Sequence, residues 1–370
     1  ALELYEDMIE DGIEPNGHTY VSLFKACDML EDVNLGRKIH HDARMKGFAS
    51  NSFVGASLVR MYGKVGAIVE AEEAFIEISD HDVVDWTTML SAYIQKGEAK
   101  KALCLYRQMK EERIALDTTL YVIALQACTL LAEKEESRFI DGELVKPMSL
   151  EIGRSLHKDI CKKGYVSHKF VGTTLLSMYG KCKALDEAEA LFNSINRPDI
   201  VLWRAMLSAF VEGGQGKKAL QLYKHMQEKG MVRDRSTYCI AFQACGMLAE
   251  TEEVYMDTEG KSSKSIALEI GNALIADVQA SPFASDLLVN TAMLNMLSKC
   301  GTIVDAEKVF CKLSQRDTVA WTTMLSAYVE HDEAEKAMQL YSLMQRKHGS
   351  SDELTFAIAL QACAIFAELE

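Results

Sequence analysis

Apolar residues along this chain recur at helical spacing, in paired runs separated by a glycine or a short polar break. Trp86, Leu90 and Tyr93 fall on one face of a first run. Ala102, Leu105, Tyr106 and Met109 fall on one face of a second, with Gly97 between the two. This predicts two antiparallel helices joined by a tight turn. Such a pair cannot bury its apolar stripe alone, so neighbours of the same kind must stack on it.

The neighbours are present in the sequence. The segment DVVDWTTMLSAYIQKGEAKKALCLYRQMKEERIALD returns as DIVLWRAMLSAFVEGGQGKKALQLYKHMQEKGMVRD and as DTVAWTTMLSAYVEHDEAEKAMQLYSLMQRKHGSSD, placing Trp86, Trp203 and Trp321 at intervals of 117 and 118 residues. Between these copies lie two further motif types. One reads FVGASLVRMYGKVGAIVEAEEAFIEI at its first occurrence, and the other carries ALQACTLLAEKEE and AFQACGMLAETEE. Cutting at equivalent residues gives 1–16, 17–51, 52–82, 83–117, 118–168, 169–199, 200–234, 235–286, 287–317, 318–352 and 353–370. Nine motifs are whole and both ends fall mid-motif, so the sequence reads as a window on a longer array. The expected fold is all-α, an α-solenoid of stacked helix pairs with a long concave face. Four prolines in 370 residues and the lack of strand-like alternation agree with that.

Composition adds one tension. With 54 acidic against 40 basic residues the net charge is −14, whereas nucleic-acid binders ordinarily show a basic footprint. A basic strip on an inner face would survive that average. No apolar run approaches the roughly 18 residues that span a bilayer.

The ten cysteines sit at equivalent repeat positions rather than in clusters: Cys27, Cys128, Cys245 and Cys363 each follow an alanine, and Cys182 and Cys300 each follow a lysine. With no CxxC pair, this is the pattern of core packing, not of a metal or disulfide framework. His40 and His157 share one repeat position beside Gly36 and Gly153, which points to a local inter-helix hydrogen bond. Asp42 and Asp159 recur as periodic carboxylates. No catalytic triad, phosphate-cradling glycine loop or zinc signature is present, so neither catalysis nor a cofactor is expected of this segment.

The alternation of 35-, 31- and longer motifs, together with MYGKC at 178–182, LSKCG at 297–301, AWTTMLSAY at 320–328 and EIGRSLH at 151–157, resembles the pentatricopeptide-repeat family, in particular its PLS subclass. The resemblance covers essentially the whole chain. It labels 17–51, 118–168 and 235–286 as L motifs, 52–82, 169–199 and 287–317 as S, 83–117, 200–234 and 318–352 as P, with a partial P at 1–16 and a partial L at 353–370. It implies a right-handed solenoid that binds single-stranded RNA, one motif per base, each base read by two side chains.

Carried onto this sequence, the reading pairs are Thr87/Asp117, Arg204/Asp234 and Thr322/Asp352 in P motifs, and Ala56/Asp82, Thr173/Asp199 and Thr291/Asp317 in S motifs. Thr with Asp resembles the family's guanine-reading pair. In the parallel orientation implied by the family, the preferred RNA from Ala56 to Asp352 is x-G-n-G-x-n-G-G. The L pairs Val21/Asn51, Val122/His168 and Cys239/Asp286 leave their bases weakly specified. Phe53, Val84, Phe170, Val201, Leu288 and Val319 fall where the family sandwiches each base; the alternative for them is core packing at the helix start. Lys64, Lys181 and Lys299 fall where it contacts phosphate, or else in a solvated turn.

Departures accompany the match. Gln95, Glu212 and Glu330 stand where P motifs would carry the lysine, and Arg204 lies outside the usual code. Two L motifs hold insertions, KEESRFIDGELVKPMS and ETEEVYMDTEGKSSKSI, which read as surface loops or as a docking edge for another protein. Two functions are therefore expected: an RNA-binding adaptor of organellar RNA metabolism (editing, processing, stability or translation) in a mitochondrion or plastid, or a structural solenoid in a large organellar ribonucleoprotein held by protein contacts. Neither involves a membrane or a small-molecule substrate.

Overall fold

The computed structural model describes residues 2–140, 143–250, 262–313, 315–348 and 352–369. It divides into two compact units, 1–184 and 185–370. In the first unit the helices are α1 (Leu2–Glu10), α2 (Gly17–Leu30), α3 (Val33–Met45), α4 (Ser52–Val65), α5 (Ile68–Glu77), α6 (Val83–Gln95), α7 (Ala99–Glu111), α8 (Thr118–Lys134), α9 (Pro147–Lys162) and α10 (Lys169–Lys181). In the second they are α11 (Leu185–Ser194), α12 (Ile200–Glu212), α13 (Gly216–Glu228), α14 (Arg235–Glu250), α15 (Ser263–Gln279), α16 (Leu287–Lys299), α17 (Ile303–Lys312), α18 (Thr318–Glu330), α19 (Ala334–His348) and α20 (Glu353–Leu369).

Each unit is two layers of stacked helices. In the first, α2, α4, α6, α8 and α10 pack on one another in succession, while α3, α5, α7 and α9 each lie against the helix before and the helix after. In the second, α12, α14, α16, α18 and α20 form the first layer and α13, α15, α17 and α19 the other. The core runs between the layers. Trp86 meets Phe75 edge-on at 5.2 Å, Trp203 meets Phe192 at 5.0 Å and Trp321 meets Phe310 at 5.1 Å, so one aromatic pair is repeated at each tryptophan.

Small residues set how closely the stack closes. A Cβ on Gly63 of α4 would lie 2.6 Å from the Ala92 Cβ on α6, and one on Gly216 of α13 would lie 2.8 Å from the Ala244 carbonyl oxygen. Gly66 ends α4 at φ +86°, where a side chain would be strained. Cys27, Cys128, Cys182, Cys245 and Cys300 are buried among these contacts. Cys363 is exposed, on a helix whose far face has no neighbour among the described residues.

The histidine position has the partner its recurrence suggested. His40 Nδ1 lies 3.1 Å from the Tyr62 hydroxyl and His157 Nδ1 lies 2.8 Å from that of Tyr179. At the third occurrence both positions change together, to Ile275 and Leu297. Asp42 accepts from the hydroxyls of Tyr5 at 2.7 Å and Tyr20 at 2.6 Å. Asp277, its third counterpart, accepts from Tyr223 at 3.0 Å.

The first insertion adds a short hairpin to the all-α fold. Residues Arg138–Ile140 (β1) and Glu143–Val145 (β2) pair antiparallel, with Phe139 opposite Leu144. Glu135 then accepts from the Met148 and Ser149 amides at 2.8 and 2.9 Å, tying the hairpin to the start of α9. The sequence signal was an Asp-Gly pair flanked by short apolar stretches, a hairpin signature too brief for a helix-period reading to register. Most of the second insertion lies outside the described residues.

Two stability predictions follow from this packing. Gly63→Ala should cost about 1–3 kcal/mol, because α4 and α6 must separate to admit the methyl group; an unchanged urea midpoint would show that they are free to do so. Burial pushes the His157 imidazole below its ordinary value, so the unfolded chain takes up a proton that the folded one refuses. Stability should therefore be full above the ordinary histidine value of about 6.5 and fall as the pH drops below it. Unfolding free energies at pH 7.5 and 5.5 should show a smaller acid loss for His157→Gln than for the parent.

Candidate nucleic-acid interface

The aspartates expected to read bases all cap helices, because an extended residue ahead of a helix can offer its side-chain oxygen to the first free amides. Asp82 accepts from the Val84 and Asp85 amides at 2.7 and 3.0 Å, Asp117 from Leu120 at 2.9 Å, Asp199 from Leu202 at 3.0 Å and Asp317 from Ala320 at 2.8 Å. Asp234 and Asp352 each accept from a threonine three residues on, Thr237 and Thr355, at 2.8 Å. In every case one oxygen, Oδ1, is used. The other oxygens of Asp82, Asp117, Asp317 and Asp352 accept no hydrogen bond among the described residues.

The threonines share a second constraint. Thr87 donates to the Val83 carbonyl at 2.6 Å, Thr291 to Leu287 at 2.8 Å and Thr322 to Thr318 at 2.9 Å, and Thr173 donates likewise to Lys169. Each hydroxyl proton is thus committed to the turn behind it, which leaves only lone pairs for another partner. Thr87 and Thr173 are half-buried, whereas Thr291 and Thr322 are only 8% and 7% exposed. Ala56 is buried and offers no polar group.

One cleft gathers the expected residues. A space of about 590 Å³ is lined by Thr87 and Asp117, by Val84, by Lys64, and also by Asp28, Arg60, Thr88 and Gln95. It lies along α4 and α6, with Asp117 and Thr119 at the start of α8 on its third side. The apolar residues expected beside the bases are largely exposed: Phe53 and Phe170 are 53% and 65% exposed, with ring contacts among the described residues only to His18 and His168, and Val84, Leu288 and Val319 are more than half exposed, while Val201 is half-buried. This removes helix-start core packing as the account of those five.

Two parts of the arrangement are closed by ion pairs that sequence alone did not show. Arg204 binds Asp234 Oδ2 at 2.5 Å, so that carboxylate has both oxygens engaged. Burial opposes its ionisation, yet the Thr237 hydrogen bonds and the Arg204 guanidinium hold its pKa below the ordinary value. The three lysines are likewise paired: Lys64 with Asp28 at 3.1 Å, Lys181 with Glu133 at 3.4 Å and Lys299 with Glu250 at 2.8 Å. At the L positions, Asn51 and Asp286 cap α4 and α16, while His168 precedes α10 without capping it. Val21 is buried, and Val122 and Cys239 are half-buried.

Comparison with known proteins fits this geometry. A model of the PPR repeat family matches residues 81–129, 198–247 and 316–365, and a PPR repeat model matches 173–197 and 291–317. The chain belongs to the pentatricopeptide-repeat family. Among its relatives are three pentatricopeptide repeat-containing proteins of Arabidopsis thaliana. One is 28% identical over 366 residues, covering 98% of this chain and 54% of the relative. A chloroplastic one is 28% identical over 364 residues, covering 98% and 41%, and a mitochondrial one is 24% identical over 413 residues, covering 98% and 38%. The chain spans about half the length, or less, of the curated relatives it matches.

The pentatricopeptide repeat protein PPR10, crystallised with an 18-nt psaJ RNA element, superposes with a TM-score of 0.69 at 16% identity, over 99% of this chain and 51% of PPR10. That likeness gives the solenoid fold of the pentatricopeptide repeats. No helix among the described residues is long and apolar enough to cross a membrane.

The capping geometry makes a prediction independent of any ligand. Asp117→Ala should lower unfolding stability by about 1 kcal/mol through loss of the α8 cap, while Asp117→Asn should stay near the parent. Equal stability of all three in thermal unfolding would mean that the cap contributes nothing.

Proposed function

We propose that this chain is a sequence-selective single-stranded RNA-binding adaptor of the PLS subclass, acting in organellar RNA metabolism in a mitochondrion or plastid. The observation that carries the reading is the cleft that holds Thr87, Asp117 and Val84 together beside Lys64. The alternation of 31-, 35- and longer motifs supports the subclass and its division of the chain. No catalytic step is assigned to these residues.

The polar groups of the cleft favour a particular base. Thr87 presents lone pairs and Asp117 a free carboxylate oxygen, so the pair wants a base edge made of donors. Guanine offers ring and exocyclic N–H groups side by side on its pairing edge. Adenine would set its ring nitrogen, an acceptor, against the carboxylate. An exposed valine beside the pair gives the base an apolar surface to lie on. The Arg204–Asp234 motif lacks a free carboxylate oxygen, which matches an unspecified base there.

A second reading, a scaffold held by protein contacts, is favoured by the neutralised lysines and the net charge of −14. Fluorescence anisotropy separates the two. The chain should bind an RNA carrying x-G-n-G-x-n-G-G more tightly than one with those guanines changed to cytosine, and Thr87→Asn should shift preference away from guanine at the matching base alone. Negligible binding to both RNAs would leave the scaffold.

A further inference from the structure

We propose that Lys25 and Arg60 form a phosphate-binding pair on two consecutive first-layer helices, a backbone contact separate from the three lysines. This rests on the RNA-binding reading above and places one of its anchor points.

The two residues occupy the same repeat position. Lys25 stands four residues after Val21 on α2, and Arg60 four residues after Ala56 on α4, 35 residues apart in the chain. Four residues is about one helical turn, so each cation lies on the same face as the expected reading position and one turn further along. Helices α2 and α4 pack directly against each other. Arg60 lines the cleft that contains Thr87, Asp117 and Val84. At the equivalent places in later motifs the residues are uncharged and polar, as in Ser91, Gln126, Ser177, Ser208 and Asn295.

Neither charge is neutralised among the described residues. One turn along α4 from Arg60, Lys64 is neutralised by Asp28. Lys25 and Arg60 are exposed, and neither forms an ion pair or a side-chain hydrogen bond among the described residues. An exposed cation that forms no ion pair is a natural place for an anion. A guanidinium and an ammonium suit phosphate oxygens, the former through two parallel N–H donors. Phosphates recur along RNA regardless of base, so the contact is expected to be indifferent to sequence.

The test is anisotropy titration of the intact chain and of Lys25→Ala, Arg60→Ala, Arg60→Lys and the double alanine variant, against the guanine-bearing RNA and its cytosine counterpart at several salt concentrations. Each alanine should weaken binding several-fold for both RNAs, and should flatten the slope of log affinity against log salt by about 0.7, the value for one phosphate contact on a single strand. Arg60→Lys should keep the slope, and Asn295→Arg should steepen it. Both side chains are exposed, so unfolding midpoints should not move. Parent-like slopes in the alanine variants would overturn this inference alone. So would a loss confined to the guanine RNA, which would mean a base contact. Failure of the parent to bind either RNA would overturn it together with the proposed function.

Discussion

The structure depends on one shared interface, repeated. Within each unit the described helix pairs bury their apolar stripes against the neighbouring pairs. The Phe75–Trp86, Phe192–Trp203 and Phe310–Trp321 contacts are that interface seen at its aromatic centre, and Gly63 and Gly216 mark where backbones approach too closely for a side chain. Because motifs within each unit stack through the same contacts, equivalent positions fall on the same helix layer. A surface that meets a repeating ligand unit by unit needs that regularity.

The motif-final aspartate links folding to the proposed recognition. With one oxygen it satisfies the amides that open the following helix, which explains why Asp recurs there even without a ligand. At Asp117 the other oxygen is free on the wall of the cleft. These two roles do not compete, since a carboxylate has acceptor sites to spare. The same economy appears in Thr87 and Thr173, whose protons return to the helix while their lone pairs stay partly exposed. Where Arg204 closes on Asp234 the second role is lost and the first is kept.

Charge shows a different compromise. The chain is acidic overall, and the lysines set by the repeat pattern are each met by a carboxylate from the preceding first-layer helix. Surface pairs of this kind contribute little to stability, but they lower the field that an incoming polyanion meets. Attraction toward such a ligand then falls to cations left without an ion pair among the described residues, Lys25 on α2 and Arg60 on α4 included.

The sequence by itself determined the helix pairs, their three lengths, the buried cysteines and the partnered histidines, since each of these follows from local periodicity and from a spacing that recurs. It also placed Thr87, Asp117, Val84 and Lys64 at their motif positions. Tertiary structure alone decided that these four meet in one cleft and that Phe53 and Phe170 are largely exposed. It also paired Lys64 with Asp28 and Arg204 with Asp234. Helical periodicity is written in residues three and four apart, whereas those pairs join side-chain tips 30 to 50 positions apart in sequence, whose meeting is fixed only when neighbouring motifs stack.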